Sequence, residues 1–212
     1  MIDVQHEINA VERRVGSRVM PAGQARTVTI TRTYKAPVED VWDAVTSKER
    51  IPRWFLPISG ELRVGGHYQL EGQAGGTIER CDPPRGFFAT WEFGGEVSWI
   101  ELRLTAAAPG QTRFELEHIA HVDDERWAQF GPGAVGVGWD MGLMGLGTHL
   151  ATRQSVDPNA AANWLASEDG RRFVADSSRA WGEASIAAGT DPEAARAAAE
   201  RTTAFYTGAP PS

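Results

Sequence analysis

Cysteine is almost missing from this sequence: Cys81 stands alone among 212 residues, so no internal disulfide forms, which fits a reducing compartment. A lone thiol in a strand-like segment reads as a small buried hydrophobe. Long apolar runs are also missing; nothing approaches the ~20 residues that a membrane-spanning helix needs. Met1 to Arg14 has no apolar block and carries Asp3, Glu7 and Glu12, so it does not read as a signal peptide. Cations are outnumbered, 21 against 28 acidic residues, for a net charge of -7. The longest basic runs are the pairs Arg13-Arg14 and Arg171-Arg172, too short for a phosphate-tracking surface. A cytoplasmic protein with no nucleic-acid partner and no membrane insertion is expected. No internal repeat is present. A hydrophobic share of 42% with 23% charged residues suits a chain folding around its own core.

Val4, Ile8, Val11 and Val15 recur at helical spacing, predicting an amphipathic helix over Val4 to Val15. From Arg26 to Tyr34 the pattern turns to alternation, with Val28, Ile30, Arg32 and Tyr34 opposite a row of threonines, and predicts a strand. Pro37 then opens a helix carrying Val38, Val41, Trp42 and Val45. Another is expected over Ser47 to Trp54 with Ser47 as its cap. Six strands follow in a meander: Leu62–Val64, His67–Glu71, Thr77–Cys81, Phe87–Phe93, Val97–Leu104 and Thr112–Ile119. Glycine and proline fill each gap, and such short connections imply antiparallel pairing.

Alternation assigns the faces. Tyr68, Leu70, Ile78, Phe87, Ala89, Trp91, Phe93, Ile100, Leu102, Leu104, Phe114, Leu116 and His118 form one side. Gln69, Thr90, Glu92, Glu101, Arg103, Arg113, Glu115 and Glu117 form the wet one. An aromatic face of that size must be covered. The cover is Gly133 to Thr152, where Val135, Trp139, Leu143, Leu146 and Leu150 recur at helical spacing beside Gly138, Gly142 and Gly145. Glycine weakens a helix by roughly 1 kcal/mol relative to alanine, so this stripe needs a reason. Close approach to the sheet is one; space for a ligand is another. After Arg153, helices are expected over Pro158 to Ala166, Glu168 to Ala188 and Pro192 to Tyr206, capped by Asp157 and Asp191, with Gly189 ending the middle one. Fraying is expected over Gly208 to Ser212. The division is 1–25 as an N-terminal helical extension, 26–153 as the main domain and 154–212 as a helical tail. That tail docks on the same domain or on a homodimer partner.

The order of elements resembles the α+β helix-grip fold of the START and birch-pollen-allergen superfamily, a curved antiparallel sheet around a long C-terminal helix. Ala36-Pro37 with Val41-Trp42 and Thr46, Trp54-Phe55, Gly65-Gly66 before Tyr68, and Gly75-Gly76-Thr77-Ile78 carry the likeness. So do Asp82-Pro83-Pro84, Thr90-Trp91, His118 and Gly138-Trp139. Over Arg26 to Thr152 the sequence is similar to bacterial homologues of the heat-shock-protein-90 ATPase activator's C-terminal domain. The resemblance implies a small apolar molecule held between sheet and helix, a chaperone contact as in the eukaryotic activator, or a polyketide cyclase or aromatase activity.

Other motifs carry less. Gly131-Pro-Gly133-Ala-Val-Gly136 has the letters of a dinucleotide loop but lacks the preceding parallel strand that motif needs. His118 and His121, beside Asp123 and Asp124, point to opposite faces of a strand and find no second ligand cluster, so no metal is expected. Glu92, Glu101, Glu115 and Glu117 read as partners of Arg103 and Arg113 in cross-strand ion pairs rather than catalytic carboxylates. No serine-centred nucleophile is apparent. The leading expectation is a non-enzymatic carrier or sensor of a small hydrophobic ligand, with no cofactor and no catalytic residue. Tyr68, Trp91, Phe93, Leu102, Phe114, His118, Trp139 and Leu143 are the expected contacts, with His118 as the polar anchor.

Overall fold

The computed structural model describes residues 2–208; part of the tail expected to fray, 209–212, lies outside them. The chain opens with α1 (Val4–Asn9), β1 (Val11–Met20), β2 (Gly23–Tyr34) and α2 (Val38–Thr46). A single 3-10 turn (Ile51–Arg53) leads to β3 (Ile58–Gly60), β4 (His67–Leu70), β5 (Gly75–Asp82) and β6 (Gly86–Phe93). Next come β7 (Glu96–Ala108), β8 (Gln111–Ala120), α3 (Asp124–Phe130) and α4 (Gly133–Thr152). The last helices are α5 (Pro158–Ala166), α6 (Glu168–Ala187) and α7 (Pro192–Thr207). The strands form a curved eight-stranded sheet in the order β1-β2-β8-β7-β6-β5-β4-β3, and β3 through β8 pair antiparallel with their neighbours. With its long α4, this is the expected helix-grip fold. No described helix is long and apolar enough to cross a membrane.

The chain divides into two compact units that interleave along the sequence. The sheet unit comprises Thr31–Ala120 and Gly142–Val156, and the helical unit, among the described residues, 2–30, 121–141 and 157–208.

In the sheet unit, register sets the rows of the covered face. Phe87 pairs with Leu102 and Leu102 with Leu116; Ala89 pairs with Ile100 and Ile100 with His118. Leu143, Leu146 and Leu150 of α4 are buried, and Tyr34 donates its hydroxyl proton to the Leu143 carbonyl at 2.9 Å. Trp42 of α2 meets the Phe87 ring edge-on at 6.5 Å, so α2 covers that end of the face. On the other face Arg103 bonds Glu115 across the strands at 2.9 Å, the pairing expected of those charges, and Glu101 along its own strand at 2.7 Å.

Several local expectations fail here for identifiable reasons. Ser47 ends α2 by giving its N–H to Asp43, and the helix expected over Ser47 to Trp54 shrinks to one turn. Pro52 has no N–H to bond back to the preceding turn, so the segment does not continue as an α-helix from Ser47. Leu62–Val64 is not a strand. Gly66 donates back to the Arg63 carbonyl and Gly65 (φ +76) to Ile78, curling this segment into a turn, while β3 forms earlier. Cys81 is exposed rather than buried. A bulge between Ile78 and Arg80 shifts the register of β5, and everything from Glu79 to Asp82 is exposed. Phe93, assigned to the covered face, is 57% exposed at the end of β6. Val135, assigned to the covering stripe of α4, is also exposed.

In the helical unit, the helix expected to reach Val15 stops at Asn9 and β1 takes over. Val11 and Val15, four apart, satisfy a period of two as well as helical spacing, and strand pairing decides between them: β1 joins the sheet next to β2. Gly23 (φ +116) supplies the backbone of the turn between them. The helix α3 was not foreseen; Asp123 caps it by accepting the Arg126 N–H at 2.7 Å. The tail helices follow expectation closely, with Asp157, Ser167 and Asp191 accepting first-turn N–H groups.

Close packing against α4 comes both from the sheet, where a Cβ on Gly147 would lie 3.2 Å from Arg32 and 3.4 Å from Tyr34 of β2, and from elements outside it. A Cβ on Gly145 would lie 2.6 Å from the Trp54 carbonyl oxygen. On Gly136 it would fall inside the Trp181 indole. On Gly142 a Cβ would have ordinary spacing, 3.6 Å from the Phe55 ring, and on Gly138 it would lie 3.4 Å from the Tyr206 hydroxyl.

Candidate functional site

His118 sits in β8 beside Ile100 of β7, and its side chain is 5% exposed. Ser98 and Trp91 face each other one step further along β7 and β6. The Ser98 hydroxyl donates to the Trp91 carbonyl at 2.9 Å, which uses its only proton. Its 3.0 Å contact with His118 Nε2 therefore requires Nε2–H to donate to Ser98 Oγ. Burial holds the imidazole pKa down to about 4, so the ring is neutral at neutral pH with its proton placed by the serine. The Trp91 ring approaches the imidazole edge-on, 6.1 Å between centroids. A neutral polar group thus stands in a row otherwise built from Ala89 and Ile100.

The expected contact residues scatter around this centre. Trp91 and His118 come together, Trp91 half-buried. Leu102, Phe114 and Leu143 are buried in the same unit; Phe114 and Leu143 meet through Tyr34, whose ring is 6.0 Å from Phe114. Tyr68 is buried two strands from β6, and its hydroxyl donates to the Thr90 carbonyl at 2.7 Å. Burial and the nearby Glu92 push that hydroxyl's pKa far up, so its proton stays on and stays committed to Thr90. Phe93 is exposed, and Trp139 is a half-buried member of the helical unit. Ser98 was overlooked, although alternation through Ile100, Leu102 and Leu104 places it on the same face.

Two polar clusters were also missed. In the sheet unit, His149 is 1% exposed, with Nδ1 on the Gln154 carbonyl at 2.8 Å and Nε2 facing Arg50 at 3.3 Å. Arg50 in turn holds Asp40 at 2.8 Å, and Arg153 reaches the same carboxylate at 2.6 Å. Burial pulls the Asp40 pKa upward, but the bonds from Arg153 and Arg50 outweigh it and hold the group below its ordinary range. In the helical unit, the Asp140 carboxylate accepts from Arg13 Nε and Nη2 at 3.1 and 2.9 Å, Ser177 Oγ at 2.5 Å and Trp181 Nε1 at 3.0 Å. Both clusters tie helices to their surroundings. Asp140 gave a signal in the sequence, since a carboxylate within an apolar helix requires a cation.

Among curated proteins none matches the chain. The crystal structure of CalU16 from Micromonospora echinospora is similar at 38% identity, over 78% of this chain and 97% of that one, with a TM-score of 0.59. Its solution structure gives 33% identity over 94% of both chains and a TM-score of 0.63. Protein MLL2253 from Mesorhizobium loti shares the fold at 22% identity and a TM-score of 0.53, over 62% of this chain and all of that one. The family model described as Activator of Hsp90 ATPase homolog 1-like protein matches residues 35–151. More than half of the sequence lies in that match, and the chain belongs to this family.

Proposed function

We propose that the apolar sheet face around Trp91, Ile100 and His118 binds a small hydrophobic molecule with one polar group, and that the protein acts as its carrier or sensor. The observation that carries this reading is the neutral His118 on an otherwise apolar row. A leucine there would complete the row without the cost of desolvating an imidazole. Departures of this kind from the cheapest packing concentrate at functional sites. The aromatic and aliphatic neighbours supply the apolar contact such ligands need, and the imidazole supplies orientation.

Native mass spectrometry of protein purified from its own host tests the reading, with His118→Leu as the comparison. Wild-type protein carries a small apolar molecule; the variant folds with stability within about 1 kcal/mol of wild type and loses it. Wild-type protein that emerges empty and ignores a panel of hydrophobic ligands contradicts the proposal. A second reading, contact with a chaperone, is supported by the family's description and by the exposed Phe93 and Val97 on the β6–β7 hairpin. It predicts that the protein raises a chaperone's ATPase rate and that Phe93→Ser lowers the effect without changing ligand content.

A further inference from the structure

We propose a second binding site, independent of the His118 face, in the helical unit: a cleft of about 280 Å³ that takes an uncharged single-ring aromatic molecule bearing one hydroxyl. Its walls come mainly from α3, α6 and α7, with Arg26 and Asp124 also among its lining residues. Three inward-facing serines of α6 decide the chemistry. Ser177 donates to Asp140, and Ser185 is bonded to Thr190 at 2.9 Å. Ser178 lines the cleft, is 1% exposed, and its Oγ has no hydrogen-bond partner among the described residues. Buried hydroxyls are nearly always matched, so an unmatched one beside unfilled space marks a place for a partner group.

Shape and polarity narrow the occupant. Ala195 and Ala198 of α7 and Gly182 of α6 present almost no side chain, which leaves room for a flat ring. On the α3 side stands the Trp127 indole, kept in place by the Arg26 guanidinium 4.7 Å over its face. Arg26 also pairs with Asp124 at 2.5 Å, but the Asp124 side chain is 97% exposed, and a pair so exposed opens at little cost. Walls this apolar disfavour a charged ligand, which would surrender its hydration for one hydroxyl contact. A phenolic hydroxyl both donates and accepts, as Ser178 does.

The test is a ¹H–¹⁵N NMR titration of the full chain with 4-methylphenol and, separately, with toluene. The expected result is saturable shifts of the Trp127 indole and of the Ser178 and Thr190 amides, with toluene binding about fivefold more weakly. Ser178→Ala brings 4-methylphenol down to the affinity of toluene. Ala194→Leu, at an exposed position on the lip, abolishes binding while leaving the spectrum folded. No saturable shifts up to millimolar ligand, shifts at Trp91 and His118 instead, or unchanged affinity in Ser178→Ala would each overturn the proposal.

Discussion

Asp140 in the helical unit and His118 in the sheet unit are buried in opposite ways. The helical unit encloses a charged pair, Arg13 with Asp140, their side chains 6% and 1% exposed, and adds two further donors to the carboxylate. The sheet unit encloses His118 as a neutral ring with its proton fixed by one serine. A saturated ion pair locks its surroundings, because any loosening strands a charge away from water. A neutral imidazole locks little and leaves an apolar face with one polar point on it. The first arrangement suits a clamp, the second a place where something else binds.

The comparison breaks most visibly at the clamp. Asp140→Ala leaves the Arg13 cation buried and is expected to lower stability by about 3–5 kcal/mol in urea denaturation. A loss below about 1 kcal/mol would make the pair incidental. Next in size is the pH dependence of the sheet unit. The unfolded chain takes a proton on His118 near pH 6.5, the folded one only near 4. Between those values the unfolded state binds more protons, so stability falls as pH is lowered, by about 3 kcal/mol over the whole interval. Subtracting the pH profile of His118→Leu from that of wild type isolates this contribution.

Smaller effects sharpen the contrast along a single helix. Gly136→Ala drives a methyl into Trp181 in the helical unit and is expected to destabilise by about 1–3 kcal/mol. Gly142→Ala meets only ordinary contact with Phe55 in the sheet unit, so helix propensity prevails and stability rises by up to about 1 kcal/mol. Thermal melts of the two variants should therefore move in opposite directions.

Much of this architecture is legible in the residues, for physical reasons that also set the limits. Periodicity bounds α4 at Gly133 and Thr152, and Asp-Pro pairs start α5 and α7, because helix spacing and caps are local. The β6–β8 rows are readable for the same reason. Val11–Met20 is not, since its valines fit either period and a partner strand makes the choice. Cys81 escapes because one bulge changes the register of β5. At the candidate site, alternation delivers His118 and Trp91, but the tautomer depends on where Ser98 sends its proton, which only the paired strands reveal. The glycines of α4 show that something comes close to it; Trp54 at Gly145 and Trp181 at Gly136, distant in sequence, are met most tightly.

The most direct measurement is NMR titration of the His118 ring nitrogens from pH 8 to pH 3.5. A ring neutral and protonated at Nε2 down to about pH 4 is the expected result. Titration near 6.5, or a proton on Nδ1, would contradict the neutral polar anchor and the role assigned to it.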